Sequence, residues 1–183
     1  VIWKVTTDGS VAYDRRQGDV KHPSRGWGGW AAIVEHGSDG YVVRGSEELP
    51  PVRRVLHGSE DNTTAVRMEL RAVEHALAAI PDGEEVLVVT DATIITVVHE
   101  RWTLGTLPYR NEVKRDQAIW LDLAAHYARL RVSFHLLGRT ERNHVHKRAH
   151  LIAGAAAKAA RAAALGHPKR DDPEKVAAAH IVC

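Results

Sequence analysis

The run Glu85-Val86-Leu87-Val88-Val89-Thr90 constrains the fold more than any other stretch of this chain. A strand with one solvated face alternates polar and apolar residues. This one is apolar at nearly every position between its ends, the pattern of a central strand buried on both faces. Such a strand needs partners beside it and helices packed on it. The next residue is Asp91. A charged group there is costly unless it is paired or bound to a metal. Asp91 reads either as an N-cap for a helix beginning near Thr93 or as a functional acid.

The rest of the chain supplies the partners. Ile2 to Thr7 reads as a strand ended by Gly9 and Ser10, followed by a long polar loop from Val11 to Gly26. A second strand runs from Gly28 to Val34, a hairpin turn from His36 to Gly40, and a third strand from Tyr41 to Ser46. Glu48 to Asn62 reads as irregular, with a short strand at Arg54 to His57. Thr63 or Thr64 caps a helix that continues to Ile80. Its apolar stripe is Val66, Leu70, Val73, Leu77 and Ile80, and Pro81-Asp82-Gly83 stops it. Beyond Thr90 come a helix from Thr93 to Arg101, a loop from Thr103 to Asn111 and a helix from Val113 to Arg129. A strand from Val132 to Leu137, a polar loop from Arg139 to His144 and a long helix from His146 to Leu165 complete the order. The order β-β-β-α-β-α-α-β-α describes a mixed sheet with helices on it.

Composition sets the outer bounds. A chain of 183 residues, with 44% hydrophobic and 26% charged residues, fits one globular domain, taken as residues 1–165 with a charged tail over 166–183. A net charge of +2 does not by itself demand a nucleic-acid partner. Basic residues nonetheless cluster late, at Arg139, Arg142, Lys147, Arg148, Lys158 and Arg161, and 12 histidines add charge below neutral pH. The lone Cys183 excludes an internal disulfide framework and fits a reducing, cytoplasmic setting. The first residues carry no secretory signal pattern. The most apolar run, Leu151 to Leu165, is broken by Lys158 and Arg161, so no membrane span is expected. A monomer is expected.

Two further acids stand in short, distinctive contexts. Asp8 lies in Thr7-Asp8-Gly9-Ser10 and reads either as a turn-capping residue or as a carboxylate at a strand edge, where Gly9 lets a substrate backbone approach. Glu69 lies in Arg67-Met68-Glu69-Leu70, at the edge of the helix's apolar stripe. It reads as a solvated surface glutamate or as a group pointing across the sheet end. Three carboxylates about 5 Å apart would repel by about 3 kcal/mol per pair at an effective dielectric near 20. A compensating hard cation would make such a cluster tenable, and Mg²⁺ suits oxygen ligands.

In this order the motifs resemble type 1 ribonuclease H. The resemblance rests on Thr7-Asp8-Gly9-Ser10, Gly28-Gly29-Trp30-Ala31-Ala32-Ile33, Thr63-Thr64-Ala65-Val66-Arg67-Met68-Glu69-Leu70, Thr90-Asp91 and Arg148-Ala149-His150-Leu151-Ile152-Ala153. It implies an α/β ribonuclease H-like fold, a five-stranded mixed sheet with helices on both faces. It implies an endonuclease that hydrolyses the RNA strand of RNA–DNA hybrids with two Mg²⁺ or Mn²⁺ ions, leaving 5′-phosphate and 3′-hydroxyl ends. Asp8, Glu69 and Asp91 match the family's metal-binding acids, and His150 stands where the family has a fourth acid. An imidazole there removes one negative charge and shifts preference toward Mn²⁺.

Other positions carry over or depart. Gly9, Ser10, Thr64 and Trp102 match substrate-binding positions. The family's mobile-loop histidine is absent at Gly138-Arg139; His144 or His146 would replace it, and His144 is the reading taken here. Ala65-Val66 stands where the family has an asparagine pair that reads the RNA minor groove. Two other readings therefore stand beside hybrid cleavage: a related nuclease acting on double-stranded RNA, and a non-catalytic nucleic-acid-binding module.

Overall fold

The computed structural model describes residues 2–13, 26–36, 52–103, 116–138, 141 and 143–166. Five strands form one mixed sheet in the order β3-β2-β1-β4-β5. They are β1 Trp3–Ala12, β2 Gly26–His36, β3 Val52–Thr63, β4 Glu85–Thr90 and β5 Arg131–Leu136. β2 is antiparallel to both its neighbours, whereas β1, β4 and β5 are parallel. Four described helices accompany them: α1 Ala65–Ala78, α2 Thr93–Thr103, α3 Gln117–Arg129 and α4 His144–Ala164.

The apolar run of β4 lies inside the sheet, as its composition requires, with Val86, Val88 and Val89 buried. Alternate residues feed two cores. Val5, Ala32, Val34, Val86 and Val88 pack with Leu70, Val73 and Leu77 of α1 and with Ile119 and Leu123 of α3. Ala31 and Ile33 point the other way, onto Ala149, Ile152 and Ala153 of α4. Helices thus cover both faces, and β2 is buried continuously from Gly28 to Val34. The alanine-rich α4 lies very close to the sheet. A Cβ on Gly29 would sit 2.2 Å from the Ala153 carbonyl oxygen and 2.4 Å from Ala157 N.

α1 begins where the cap predicts. Thr64 Oγ1 accepts from the Arg67 N–H at 3.3 Å. Met68, Leu70, Ala72, Val73, Ala76 and Leu77 are its buried residues. Val66, expected in the apolar stripe, is 38% exposed instead, because the helix's buried stretch starts only at Met68.

Three element boundaries differ from expectation. β1 does not stop at Gly9-Ser10: its pairing with β2 continues through Gly9↔Trp30 and Ser10↔Gly29 to Ala12↔Trp27. Its parallel pairing with β4 ends at Thr6↔Val89. Asp8 is therefore inside a strand, yet past the last rung shared with β4. The third strand is Val52–Thr63, mostly read as irregular from sequence. Among the described residues it is an edge strand, and charged residues such as Arg53, Arg54 and Asp61 stand exposed along it. Gly58 within it makes room for the Trp30 indole, 2.7 Å from where a Cβ would stand. α4 starts at His144, inside the expected loop, because Asn143 Oδ1 caps it by accepting from the His146 N–H at 2.9 Å.

The strand expected at Tyr41 to Ser46 lies outside the described residues, as do most of the Val11 to Gly26 loop and the tail beyond Gly166. Among the described residues no helix is long and apolar enough to cross a membrane.

Candidate metal centre

Asp8 pairs with Ala31 across β1 and β2 and so faces α4. Its Oδ2 lies 3.0 Å from His150 Nδ1 and its Oδ1 lies 3.6 Å from His146 Nε2. Asp91 follows the end of β4, and its Oδ1 is 3.5 Å from the same His146 Nε2. Asp8, Asp91 and His146 each offer one ligand atom, and these atoms all lie within 4.8 Å of one another. Asp8 is buried, whereas half of the Asp91 side chain remains open to water.

Glu69 reaches Asp8 from the other face of the sheet. A Cβ on Gly9 would sit 2.5 Å from Glu69 N and 2.9 Å from Met68 Cβ, so the missing side chain admits α1. The Gly9 N–H donates to the Glu69 carboxylate. Oε2 of Glu69 is buried and has no hydrogen-bond partner among the described residues. Glycine at this position therefore serves the protein's own helix, where the sequence had suggested room for a substrate backbone.

Electrostatics follow from this crowding. Burial pushes Asp8 from 3.8 up to about 6, opposed by His150 and His146 and helped by the Asp91 charge. Burial also holds Glu69 well above the usual carboxylate range; the Asp8 and Asp91 charges add to the rise and the Gly9 N–H opposes it. Glu69 Oε2, buried without a donor among the described residues and close enough to feel Asp8 and Asp91, fits a divalent cation, which would reverse these penalties. Glu69 is not, however, in the Asp8, Asp91 and His146 group whose ligand atoms lie within 4.8 Å.

The structure sorts the remaining candidates. Ser10 shares Asp8's face of β1 and lies opposite Gly154 of α4. Thr64 Oγ1 is engaged in capping α1. Trp102 belongs to α2, and its side chain is outside the described residues. His144 is exposed at the start of α4 and is not in the metal-capable group; His146 is. The signal that could have picked out His146 is its spacing. Residues i and i+4 share a helix face, so His146 lies over the same strand edge as His150.

An α/β sheet with acids gathered beyond the parallel edge of its two middle strands defines a class of site. The RNase H family model matches residues 4–138, and the chain belongs to that family. It is 36% identical over 78 residues to a Ribonuclease H of Caldicellulosiruptor saccharolyticus, covering 42% of this chain and 45% of that protein. It is 33% identical over 103 residues to a Ribonuclease H of Anaplasma marginale, covering 54% and 59% respectively. The chain thus spans about half the length of these relatives. Among solved structures, LC9-RNase H1, a type 1 RNase H with the type 2 active-site motif, superposes with a TM-score of 0.65 at 21% identity, covering 98% of this chain and 82% of that one. The N-terminal RNase H domain of Rv2228c from Mycobacterium tuberculosis superposes at 0.52 and 17% identity, covering 90% and 99%. At these identities the structural likeness speaks for the fold.

Proposed function

We propose that this chain is a metal-dependent endonuclease that hydrolyses the RNA strand of RNA–DNA hybrids, leaving 5′-phosphate and 3′-hydroxyl ends. One observation supports the reading: Asp8 and Asp91 offer ligand atoms within 4.8 Å of each other, and Glu69, whose pKa their charges raise, has a buried Oε2 without a donor among the described residues. A binding module gains nothing from collecting acids that repel one another. The catalytic unit is residues 1–165.

Asp8, Glu69 and Asp91 would hold the cations, Mg²⁺ or Mn²⁺, two of them in this reading. Bound ions would activate a water and stabilise the leaving oxygen of the phosphodiester. The protein's own part is preorganisation. Gly9 fixes one end of Glu69 through its N–H, and the His150 ring fixes Asp8 through Oδ2. Burial of Asp8 and of Glu69 Oε2 keeps water from screening them. Ser10, Thr64 and Trp102 would contact the substrate strands. We give no catalytic role to His144, which is exposed at the start of α4.

A labelled hybrid tests the reading. Cleavage of the RNA strand in Mg²⁺ or Mn²⁺ is expected, with loss in chelator and in Asp91→Asn. Intact hybrid with both metals would refute it. One observation favours a second substrate. Ala65 and Val66, beside Thr64, are exposed and present no amide to a minor groove. Duplex RNA cleaved faster than hybrid would make double-stranded RNA the substrate.

A further inference from the structure

Asp8 divides its two oxygens between two histidines one helical turn apart. Oδ2 is 3.0 Å from His150 Nδ1, an ordinary hydrogen-bond distance. Oδ1 is 3.6 Å from His146 Nε2, which is also 3.5 Å from Asp91 Oδ1. Those two separations are too long for good hydrogen bonds. They leave His146 Nε2 buried without a hydrogen-bond partner among the described residues. A nitrogen set between two carboxylate oxygens, bonded to neither, is unfavourable unless something else binds all three.

The spacing says what would fit. An ion about 2.1 Å from each ligand atom separates tetrahedrally arranged ligands by about 3.4 Å, and octahedrally arranged ones by about 3.0 Å. The 3.5 and 3.6 Å separations from His146 are nearer the tetrahedral edge than the octahedral one, and the Asp8 and Asp91 oxygens lie within 4.8 Å of each other. Imidazole nitrogen suits borderline transition metals. Mg²⁺ wants oxygen ligands in near-octahedral array.

We propose that Asp8, Asp91 and His146 form a mixed nitrogen–oxygen site that takes a borderline transition-metal ion of the Zn²⁺ or Co²⁺ kind in preference to Mg²⁺. His150 is a positioning residue in this site. Its Nδ1 occupies Asp8 Oδ2 and so turns Oδ1 toward His146 and Asp91. The ligand role that its place in the sequence suggested for His150 passes to His146, one turn earlier. This inference shares with the nuclease reading the assignment of Asp8 and Asp91 as cation ligands, but its test contains no nucleic acid.

Metal-free protein is titrated calorimetrically with ZnCl₂ and with MgCl₂, and Co²⁺ binding is followed by visible absorption. The wild type is expected to bind Zn²⁺ at least about a hundredfold more tightly than Mg²⁺. His146→Asn should lose at least about tenfold in Zn²⁺ affinity and alter the Co²⁺ spectrum, while Mg²⁺ affinity changes little. His146→Asp should weaken Zn²⁺ and strengthen Mg²⁺, opposed shifts that a misfolded variant cannot give. His150→Ala should weaken Zn²⁺ by about tenfold with the Co²⁺ spectrum kept, the mark of a group acting through Asp8. Zn²⁺ binding no tighter than Mg²⁺ in the wild type, or unchanged in His146→Asn, overturns the proposal. Hybrid cleavage in Mg²⁺ and in Mn²⁺, assayed on the same samples, separates the two ideas. His146-dependent Zn²⁺ binding without cleavage supports this site and refutes the nuclease. Cleavage without Zn²⁺ preference does the reverse.

Discussion

His150 Nδ1 stands 3.0 Å from Asp8 Oδ2, linking residues 142 positions apart in the chain. That contact ties α4 to β1 at the point where the acids meet. Asp8 is buried, and His150 and His146 offset only part of the cost of its charge.

The first prediction concerns Asp8 itself. Its folded pKa, about 6, exceeds its unfolded value near 3.8. The folded state therefore keeps a proton that the unfolded state releases. Its contribution to stability is fully present below pH 3.8 and is lost as pH rises through about 6. At 1.36 kcal/mol per unit the loss is up to about 3 kcal/mol. Metal-free protein should therefore lose stability from this group between those pH values. Asp8→Asn should flatten that slope in denaturant titrations while lowering hybrid cleavage by at least about a hundredfold. An unchanged slope would mean that Asp8 is not the titrating group.

Gly29 tests the close approach of α4. In Gly29→Ala the new Cβ would meet backbone atoms of Ala153 and Ala157 at 2.2 and 2.4 Å, which no side-chain rotation relieves. A destabilisation of about 2–3 kcal/mol is expected, read as a lower denaturation midpoint. Because α4 carries His146 and His150, the same variant should bind metal less tightly.

Arg67 joins three elements. Its Nε is 2.6 Å from Glu60 of β3, and one terminal nitrogen is 2.7 Å from Asp116, which precedes α3. The Asp116 side chain is only 5% exposed, so Arg67→Ala leaves a buried charge without its partner. A loss of about 2–3 kcal/mol is expected, below that of a fully buried pair because Arg67 itself stays partly open to water. Arg67→Lys should recover less than half, since an ammonium cannot span both carboxylates.

A separate cluster lies where α2 and α3 meet β5. His99 packs on Tyr127 and Phe134 with ring centroids 4.8 and 4.7 Å away. His99 Nδ1 and Tyr127 OH are buried without hydrogen-bond partners among the described residues. Tyr127→Phe removes an unsatisfied hydroxyl and should leave the melting temperature unchanged or raise it. Burial holds the His99 pKa below its usual 6.5, against a smaller pull from Glu100. Its neutral form is favoured in the fold, so this contribution to stability is present above 6.5 and is lost as pH falls through the lower folded value. His99→Phe should soften the acid limb of a stability–pH curve; an unaltered limb would place the acid sensitivity elsewhere.

Much of the architecture could be read along the chain because it is local chemistry. The bounds expected for β4, Glu85 to Thr90, are those observed, since an uninterrupted apolar run has few other uses. Thr64 announced α1, because a hydroxyl before a helix-period stripe satisfies an N–H that nothing else can reach. β3 was obscure for the opposite reason. Gly58 and Glu60 have poor strand character and are held extended in the ladder to β2, while Asp61 and Asn62 fall in its register shift, with Asn62 at φ 52.

By itself the sequence determined the kinds of elements, the motifs of the RNase H family and the three acids Asp8, Glu69 and Asp91 as candidates. Periodicity, caps and short motifs are written in neighbouring residues. Tertiary structure alone decided that β1 runs on past Gly9, that Gly9 makes room for α1, and that His146 rather than His144 sits between Asp8 and Asp91. Each of these depends on where a helix lands on a sheet and at which rotation about its axis. That is set by packing between residues far apart in the chain, which no local pattern records.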